Sequence, residues 1–83
     1  MAATKSDPVL TGAVDLARLA AEEVAEPGAV GDHLNVVMED DRLATHSFAC
    51  TAAAYPGWRW AVTVTRVPRA KAATVCESQL LPG

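Results

Sequence analysis

The chain has 83 residues, a formal net charge of −3 and a hydrophobic fraction of 51% that is raised by its many alanines. A chain of this length forms at most one small domain, whose stability we expect to be on the order of 4–10 kcal/mol. Two cysteines are too few for a disulfide-rich secreted scaffold, and no apolar run approaches the roughly 20 residues that cross a bilayer. The amino-terminal residues contain no hydrophobic signal-peptide region, so we expect a cytoplasmic protein that does not contact a membrane.

Charge is distributed unevenly along the chain. Residues 1–41 carry two basic and nine acidic side chains, whereas residues 42–83 carry five basic side chains and one acidic side chain. The simpler interpretation is an acidic helix end lying near a basic sheet edge, or solvated charge on both. The alternative is a basic surface kept for an acidic partner or for phosphate.

The first predicted element is a helix with Asp7 as N-cap and Pro8 as its first residue, although Thr11 is an alternative start. Apolar residues at spacings of three and four form one stripe, widened by Leu19: Val9, Ala13, Leu16, Ala17, Ala20 and Val24. Gly12 weakens the helix by about 1 kcal/mol relative to Ala, and Pro27 ends it. Because the stripe is rich in alanine, the helix can approach a sheet closely.

Two strands follow, over residues 33–39 and residues 43–51, joined by a turn. A two-residue loop at Asp40 and Asp41 would place Met38 opposite Leu43. A three-residue loop that also includes Arg42 gives a second register, with the pairs Leu34–Phe48, Val36–His46 and Met38–Ala44. We favour the second register because it places more apolar area on one face, namely Leu34, Val36, Met38, Phe48 and Cys50. It places His33 and His46 on opposite faces.

The third strand, residues 58–67, is the one around which the domain is organised. It follows a turn centred on Pro56 and Gly57, and it alternates strictly between large apolar and polar or small residues. Its inward residues complete the predicted core, which consists of Trp58, Trp60, Val62, Val64, Phe48 and Leu16. Removal of a buried indole should cost roughly 3–5 kcal/mol.

A fourth strand of poorer pattern is predicted over residues 72–81. Ala73 and Val75 share one face, whereas Thr74, Cys76 and Leu80 share the other, and the pattern does not decide which face is buried. We therefore predict an α+β domain over residues 7–83, after a disordered amino terminus at residues 1–6. One helix covers a four-stranded antiparallel meander.

Several stretches resemble the amino-terminal part of an actinobacterial protein family of unknown function: Ala21–Ala25, Val30–Leu34, Thr45–Cys50, Gly57–Thr63 and Pro68–Lys71. The stretch Gly-Trp-Arg-Trp at residues 57–60 is the most specific of these. The resemblance implies a bacterial, intracellular protein and a fragment of a longer chain, since family members continue past Leu-Leu-Pro-Gly with a segment containing proline and tryptophan. It implies no catalytic residue. The family is more acidic in the last strand, where this chain has Cys76 to Gln79, which leaves the role of that strand open.

No residue pattern predicts catalysis, a metal or a cofactor. The four possible zinc ligands by residue type are His33, His46, Cys50 and Cys76, but none of their spacings is that of a zinc finger. A bridge between Cys50 and Cys76 is not expected in a reducing cytoplasm, although the sequence does not decide whether they pair or bind metal. His46 and Ser47 are neighbours on a strand, so they face opposite sides and cannot form a base and nucleophile pair.

The partner-binding candidates are the basic residues Arg59, Arg66, Arg69 and Lys71. The function we expect is a non-enzymatic protein-interaction or regulatory module, which binds a protein partner or the missing carboxyl-terminal segment through a sheet edge or an apolar patch. The first alternative is a nucleic-acid-associated protein that uses those four basic residues. The second is a small hydrolase or ligand sensor, which would need His46 or Cys50 in an accessible pocket.

Overall fold

The structure, a computed structural model, describes residues 7–82 and has two helices packed on one face of an antiparallel sheet. The elements are α1 (Pro8–Thr11), α2 (Val14–Val24), β1 (Val30–Asp40), β2 (Leu43–Cys50), β3 (Arg59–Thr65) and β4 (Thr74–Leu81). The four strands are neighbours in chain order, so the predicted α+β meander is confirmed. The prediction of disorder at residues 1–6 lies outside the described residues.

The segment predicted as one helix is divided at Gly12 and Ala13. Asp7 caps α1 as expected, since its carboxylate accepts hydrogen bonds from two backbone N–H groups of the first turn. The N–H of Ala13 then donates to the carbonyl of Leu10 at 3.2 Å, which is a tighter turn than that of an α-helix. Ala13 has a ψ of 40°, outside the helical range, so α2 begins in a new direction at Val14.

The hairpin of β1 and β2 contains two of the predicted pairs, but a register shift follows them and Asp40 is opposite Leu43, so the loop consists of Asp41 and Arg42 and not of the predicted three residues. Val36 is opposite His46, and Met38 is opposite Ala44. The turn contains Arg42, whose φ of 57° lies in the left-handed region that glycine usually occupies in such a turn. This explains how the hairpin closes without a glycine.

A β-bulge in β1 changes which side chains face the helices. The register shifts between His33 and Asn35, so His33, and not Leu34, is opposite Phe48. Leu34 is the extra residue of the bulge, and 53% of it is exposed. The predicted pairing of Leu34 with Phe48 on the apolar face was therefore wrong, as was the prediction that His33 and His46 lie on opposite faces.

The centre of the core lies between β3 and the helices. Its buried apolar residues are Leu10, Ala17, Ala21, Ala29, Ala44, Phe48, Trp60, Val62 and Val64. The indole N–H of Trp60 donates to the carbonyl of Ala29 at 3.0 Å, which fastens the start of β1 to β3. The burial of Trp60, Val62 and Val64 follows from the strict alternation along β3.

Two residues that we expected in the core are only half-buried. Trp58 precedes β3 and lies edge-on against Tyr55, with ring centroids 5.0 Å apart. This places its indole over the preceding turn, where Gly57 has a φ of 81° as the predicted turn requires. Leu16 lies on the flank of α2, because the buried residues of that helix are the small Ala17 and Ala21.

A second bulge lies between β3 and β4. Thr63 is opposite Glu77 and Val64 is opposite Val75, so Cys76 is the extra residue and is exposed. The bulge changes the alternation along β4. It places Ala73 and Leu80, which the sequence assigned to opposite faces, both against the core.

Candidate functional site

A shallow apolar groove lies between α2 and β4. Its first section has a volume of about 370 Å³ and is lined by Leu16, Leu19, Ala20, Glu23, Val24, Val75, Glu77 and Ser78. A second section of about 270 Å³ is lined by Val24, Ala25, Glu26, Ala29, Ala52, Tyr55, Trp60 and Leu80. Val24 lines both sections, so they form one surface along β4, which we call the α2–β4 groove.

The groove exists because the sheet covers only part of the apolar surface of α2. Leu19 is 60% exposed and Val24 is 62% exposed, while Val75 of β4 is 36% exposed on the opposite wall. The helix contacts the sheet through alanines, and its larger side chains therefore lie along its flank. A group of exposed apolar side chains with a polar rim is typical of an interaction surface.

The rim of the groove is acidic. Glu23 and Glu77 line the first section, and Glu26 lines the second section. No lysine or arginine of residues 7–82 lines either section. The groove therefore presents apolar surface together with negative charge.

The wall formed by β4 is an edge of the sheet. Among the described residues β4 pairs with β3 alone, and Thr74 to Glu77 are all exposed. The opposite edge, β1, has three register irregularities and carries the exposed acidic residues Asp32, Glu39 and Asp40. Bulges and charges discourage strand pairing, so β4 is the more open of the two edges.

The structure does not bring the four basic candidates together. Arg59 and Arg66 lie at opposite ends of β3, roughly 23 Å apart along an extended strand. The Nε of Arg66 is 2.8 Å from a carboxylate oxygen of Asp7, so its charge is already paired within the domain. Arg69 and Lys71 are exposed in the turn between β3 and β4. The postulated basic face is thus reduced to this turn.

The two histidines, in contrast, are in contact. The Nε2 of His33 lies 3.0 Å from the Nδ1 of His46, whose own Nε2 lies 2.7 Å from the carbonyl oxygen of Leu10. His46 is completely buried and His33 is half-buried. Burial lowers the pKa of His33 from its ordinary value of 6.5, and His46 and then Arg18 lower it further. Within residues 7–82 no group of three potential metal ligands is present, so the pair has no third ligand nearby.

The remaining nucleophile candidates do not form a catalytic arrangement. His46 faces the helices, whereas Ser47 lies on the other face of the sheet, where its hydroxyl accepts a hydrogen bond from Arg59 at 3.4 Å. Cys50 and Cys76 are both free thiols, on strands that are separated by β3.

Sequence reasoning missed both the groove and the histidine contact. Leu19 was visible as a widening of the apolar stripe, which is a weak signal for an exposed flank. The position of Val75 could not be assigned, because the bulge at Cys76 interrupts the alternation of β4. The role of Arg18, which donates to the carbonyl of Gly31 at 2.9 Å, had no signal in the sequence.

The fold and the groove define a small α+β domain with an open edge strand beside an apolar, acidic surface. Residues 31–83 match the family described as Protein of unknown function (DUF3027), and the chain belongs to this family. An uncharacterized protein of Mycobacterium bovis and two from strains of Mycobacterium tuberculosis are each 48% identical over 75 residues. The predicted membership of an actinobacterial family of unknown function is confirmed.

The matched region covers 90% of this chain but only 29% of each mycobacterial relative. No solved structure matches the chain. Over residues 7–82, neither helix has the length and hydropathy that a membrane span requires.

Proposed function

We propose that this domain is a non-enzymatic protein-interaction module whose binding site is the α2–β4 groove. The observation that carries the proposal is the adjacency of Leu19, Val24 and Val75, all exposed, to the edge of β4 that no other strand within residues 7–82 pairs with. An edge strand offers backbone donors and acceptors to an incoming chain, and the neighbouring apolar surface gives that chain side-chain contacts.

The occupant we propose is an extended segment of a separate partner protein, which adds to β4 as a fifth strand. Its apolar side chains at alternate positions would lie against Leu19 and Val75. Its lysine or arginine side chains would lie near Glu23 and Glu77, since the groove carries acidic and no basic residues among those described. Charge complementarity therefore favours a basic, apolar segment over an acidic one.

The alternatives from the sequence have less support. Nucleic-acid binding would need a basic surface, but Arg66 is paired with Asp7 and Arg59 lies at the far end of β3. A hydrolase would need an accessible nucleophile beside a base, and His46 is enclosed between Leu10 and His33. A cytoplasmic location is part of the proposal, since free Cys50 and Cys76 suit a reducing compartment.

The test is site-specific photo-crosslinking in the intact family protein inside its bacterial host. A benzophenone amino acid replaces Leu19 in the groove, and the matched control replaces Val37, which is 50% exposed on β1 at the opposite edge. We expect an adduct from position 19 alone, and peptide mapping should place it in a basic, apolar segment of a second protein.

Charge variants make the test specific to the groove. Glu77→Lys should reduce the adduct at position 19 by at least about twofold, and Glu77→Gln should reduce it less, because a rim charge contributes only a few tenths to one kcal/mol. The proposal is wrong if positions 19 and 37 give the same adducts, or if the adduct joins two parts of one polypeptide. It is also wrong if Glu77→Lys leaves the adduct unchanged.

A further inference from the structure

The contact between half-buried His33 and buried His46 fixes the proton positions on both rings. A carbonyl oxygen can only accept, so the Nε2 of His46, 2.7 Å from the carbonyl of Leu10, must carry a hydrogen. In neutral His46 the Nδ1 is then an acceptor, and the hydrogen of the 3.0 Å contact must come from the Nε2 of His33. The result is a chain of two hydrogen bonds, which we call the His33–His46 relay: His33 on β1 donates to His46 on β2, and His46 donates to the carbonyl of Leu10 on α1.

The relay can take up one proton but not two. A first proton added to the Nδ1 of His33 leaves both hydrogen bonds intact. A second proton would place an N–H of each ring against the other and break the contact. The contact between the two rings therefore tolerates one added proton, and that proton lies on His33.

The first proton makes His33 a cation, and this cation lies near the guanidinium of Arg18. From α2, the guanidinium of Arg18 lies 4.9 Å from the centre of the Phe48 ring, and His33 packs edge-on against the same ring at 5.1 Å. From β2, the neighbour is His46. From α1, the charged residue is Asp7, whose carboxylate is already engaged by Arg66. Among residues 7–82, every cause that acts on the pKa of His33 lowers it, and none of them is a carboxylate.

Arg18 also holds α2 against β1. Its guanidinium donates to the carbonyl of Gly31 at 2.9 Å, and this carbonyl lies two residues before His33. A positive charge on His33 repels the nearby guanidinium of Arg18, and this repulsion is relieved when α2 moves away from β1.

We propose that the His33–His46 relay is a proton-operated latch between the sheet and α2. The latch is closed while the pair is neutral, and uptake of one proton by His33 favours movement of α2 away from β1, because the new charge repels Arg18. The proposal does not depend on the function proposed for the groove. Because His33 has a lowered pKa in the closed state and an ordinary pKa in the open state, closure is favoured above pH 6.5 and is progressively lost as the pH falls below this value.

The first test is the protonation state itself, measured in the intact chain by nitrogen NMR of labelled histidine. At pH 7.5 both rings should carry their hydrogen on Nε2, and His33 should titrate with a midpoint below 6.5. A hydrogen on the Nδ1 of either ring at pH 7.5, or a midpoint at or above 6.5, would overturn the proposal. This measurement uses the unaltered protein and does not depend on any variant folding.

The second test is the opening of α2, followed by amide exchange at the buried Ala17 and Ala21. Between pH 7.5 and 5.5 the opening equilibrium constant should rise by up to about tenfold, after correction for intrinsic exchange. His33→Gln retains a donor toward His46 but has one titratable ring fewer, so its opening constant should rise less than that of the natural chain. An equal rise in His33→Gln, or no rise in the natural chain, would refute the latch.

Discussion

The contact between Asp7 and Arg66 allows the stability of the helical layer to be divided into two parts. The carboxylate of Asp7 caps α1 through two backbone N–H groups and also accepts the 2.8 Å bond from Arg66. The cap should contribute about 1 kcal/mol to the free energy of unfolding. The ion pair should contribute about 1–2 kcal/mol, since the Asp7 side chain is only 8% exposed while that of Arg66 is 24% exposed.

Three variants separate these contributions. Asp7→Ala removes both interactions and should lower the free energy of unfolding by about 2–3 kcal/mol. Asp7→Ser retains a capping oxygen and Arg66→Met retains the cap, so each should lose only the 1–2 kcal/mol of the pair, to within about 0.5 kcal/mol of each other. Urea unfolding at pH 7, followed by tryptophan fluorescence, measures all three. If Asp7→Ser is as stable as the natural chain, the ion pair contributes nothing to the free energy of unfolding. Arg66 would then be available to bind an acidic partner.

Two further substitutions test the packing around β3. Trp60→Phe should cost about 1–2 kcal/mol in urea unfolding followed by circular dichroism, because it removes the hydrogen bond from the indole N–H and leaves the carbonyl of Ala29 with the N–H of Thr51 as its donor. Trp58→Phe is the matched control and should cost less than about 1 kcal/mol, since Trp58 is partly exposed, and equal losses would contradict this reasoning. Gly57→Ala should lower the free energy of unfolding by about 1 kcal/mol, because φ is 81° there, and unchanged thermal stability would contradict the assigned turn.

The sequence predicted the elements whose pattern is local. The alternation from Trp58 to Thr65 was enough to define β3, and Pro56 with Gly57 was enough to define the preceding turn. Short connections between successive strands then led to the meander. These inferences were correct because each depends on residues that are close together in the chain.

The sequence could not predict the bulges, and both candidate sites depend on them. The count of apolar residues favoured Leu34 as the residue opposite Phe48. Because of the bulge, His33 lies opposite Phe48 instead, and it hydrogen-bonds the buried His46. The hydrogen bond from His33 to His46 stabilises this arrangement because His46 also binds the carbonyl of Leu10. The sequence does not show that Leu10 lies beside His46. Such a contact joins three separate elements and leaves no periodic signal in any of them.

The groove was unpredictable for a related reason. Its walls are the flank of α2 and the edge of β4, and their positions depend on how closely Ala17 and Ala21 allow the helix to approach the sheet. The break at Gly12 and Ala13 also sets the direction of α2, whereas the periodic stripe suggested one continuous helix. The charge distribution led to basic residues as the partner-binding candidates, whereas the acidic first half of the chain supplies two of the three groove carboxylates.

The most direct test of the proposed interaction surface is amide hydrogen exchange of the domain with and without the partner that crosslinks from position 19. In an antiparallel edge strand every second N–H points away from the sheet, so those N–H groups of β4 should gain protection of at least about tenfold when a fifth strand is added. The amides of β1, at the opposite edge, should exchange at unchanged rates. Protection that appears on β1, or that is absent from β4 when the complex is saturated, would contradict the account.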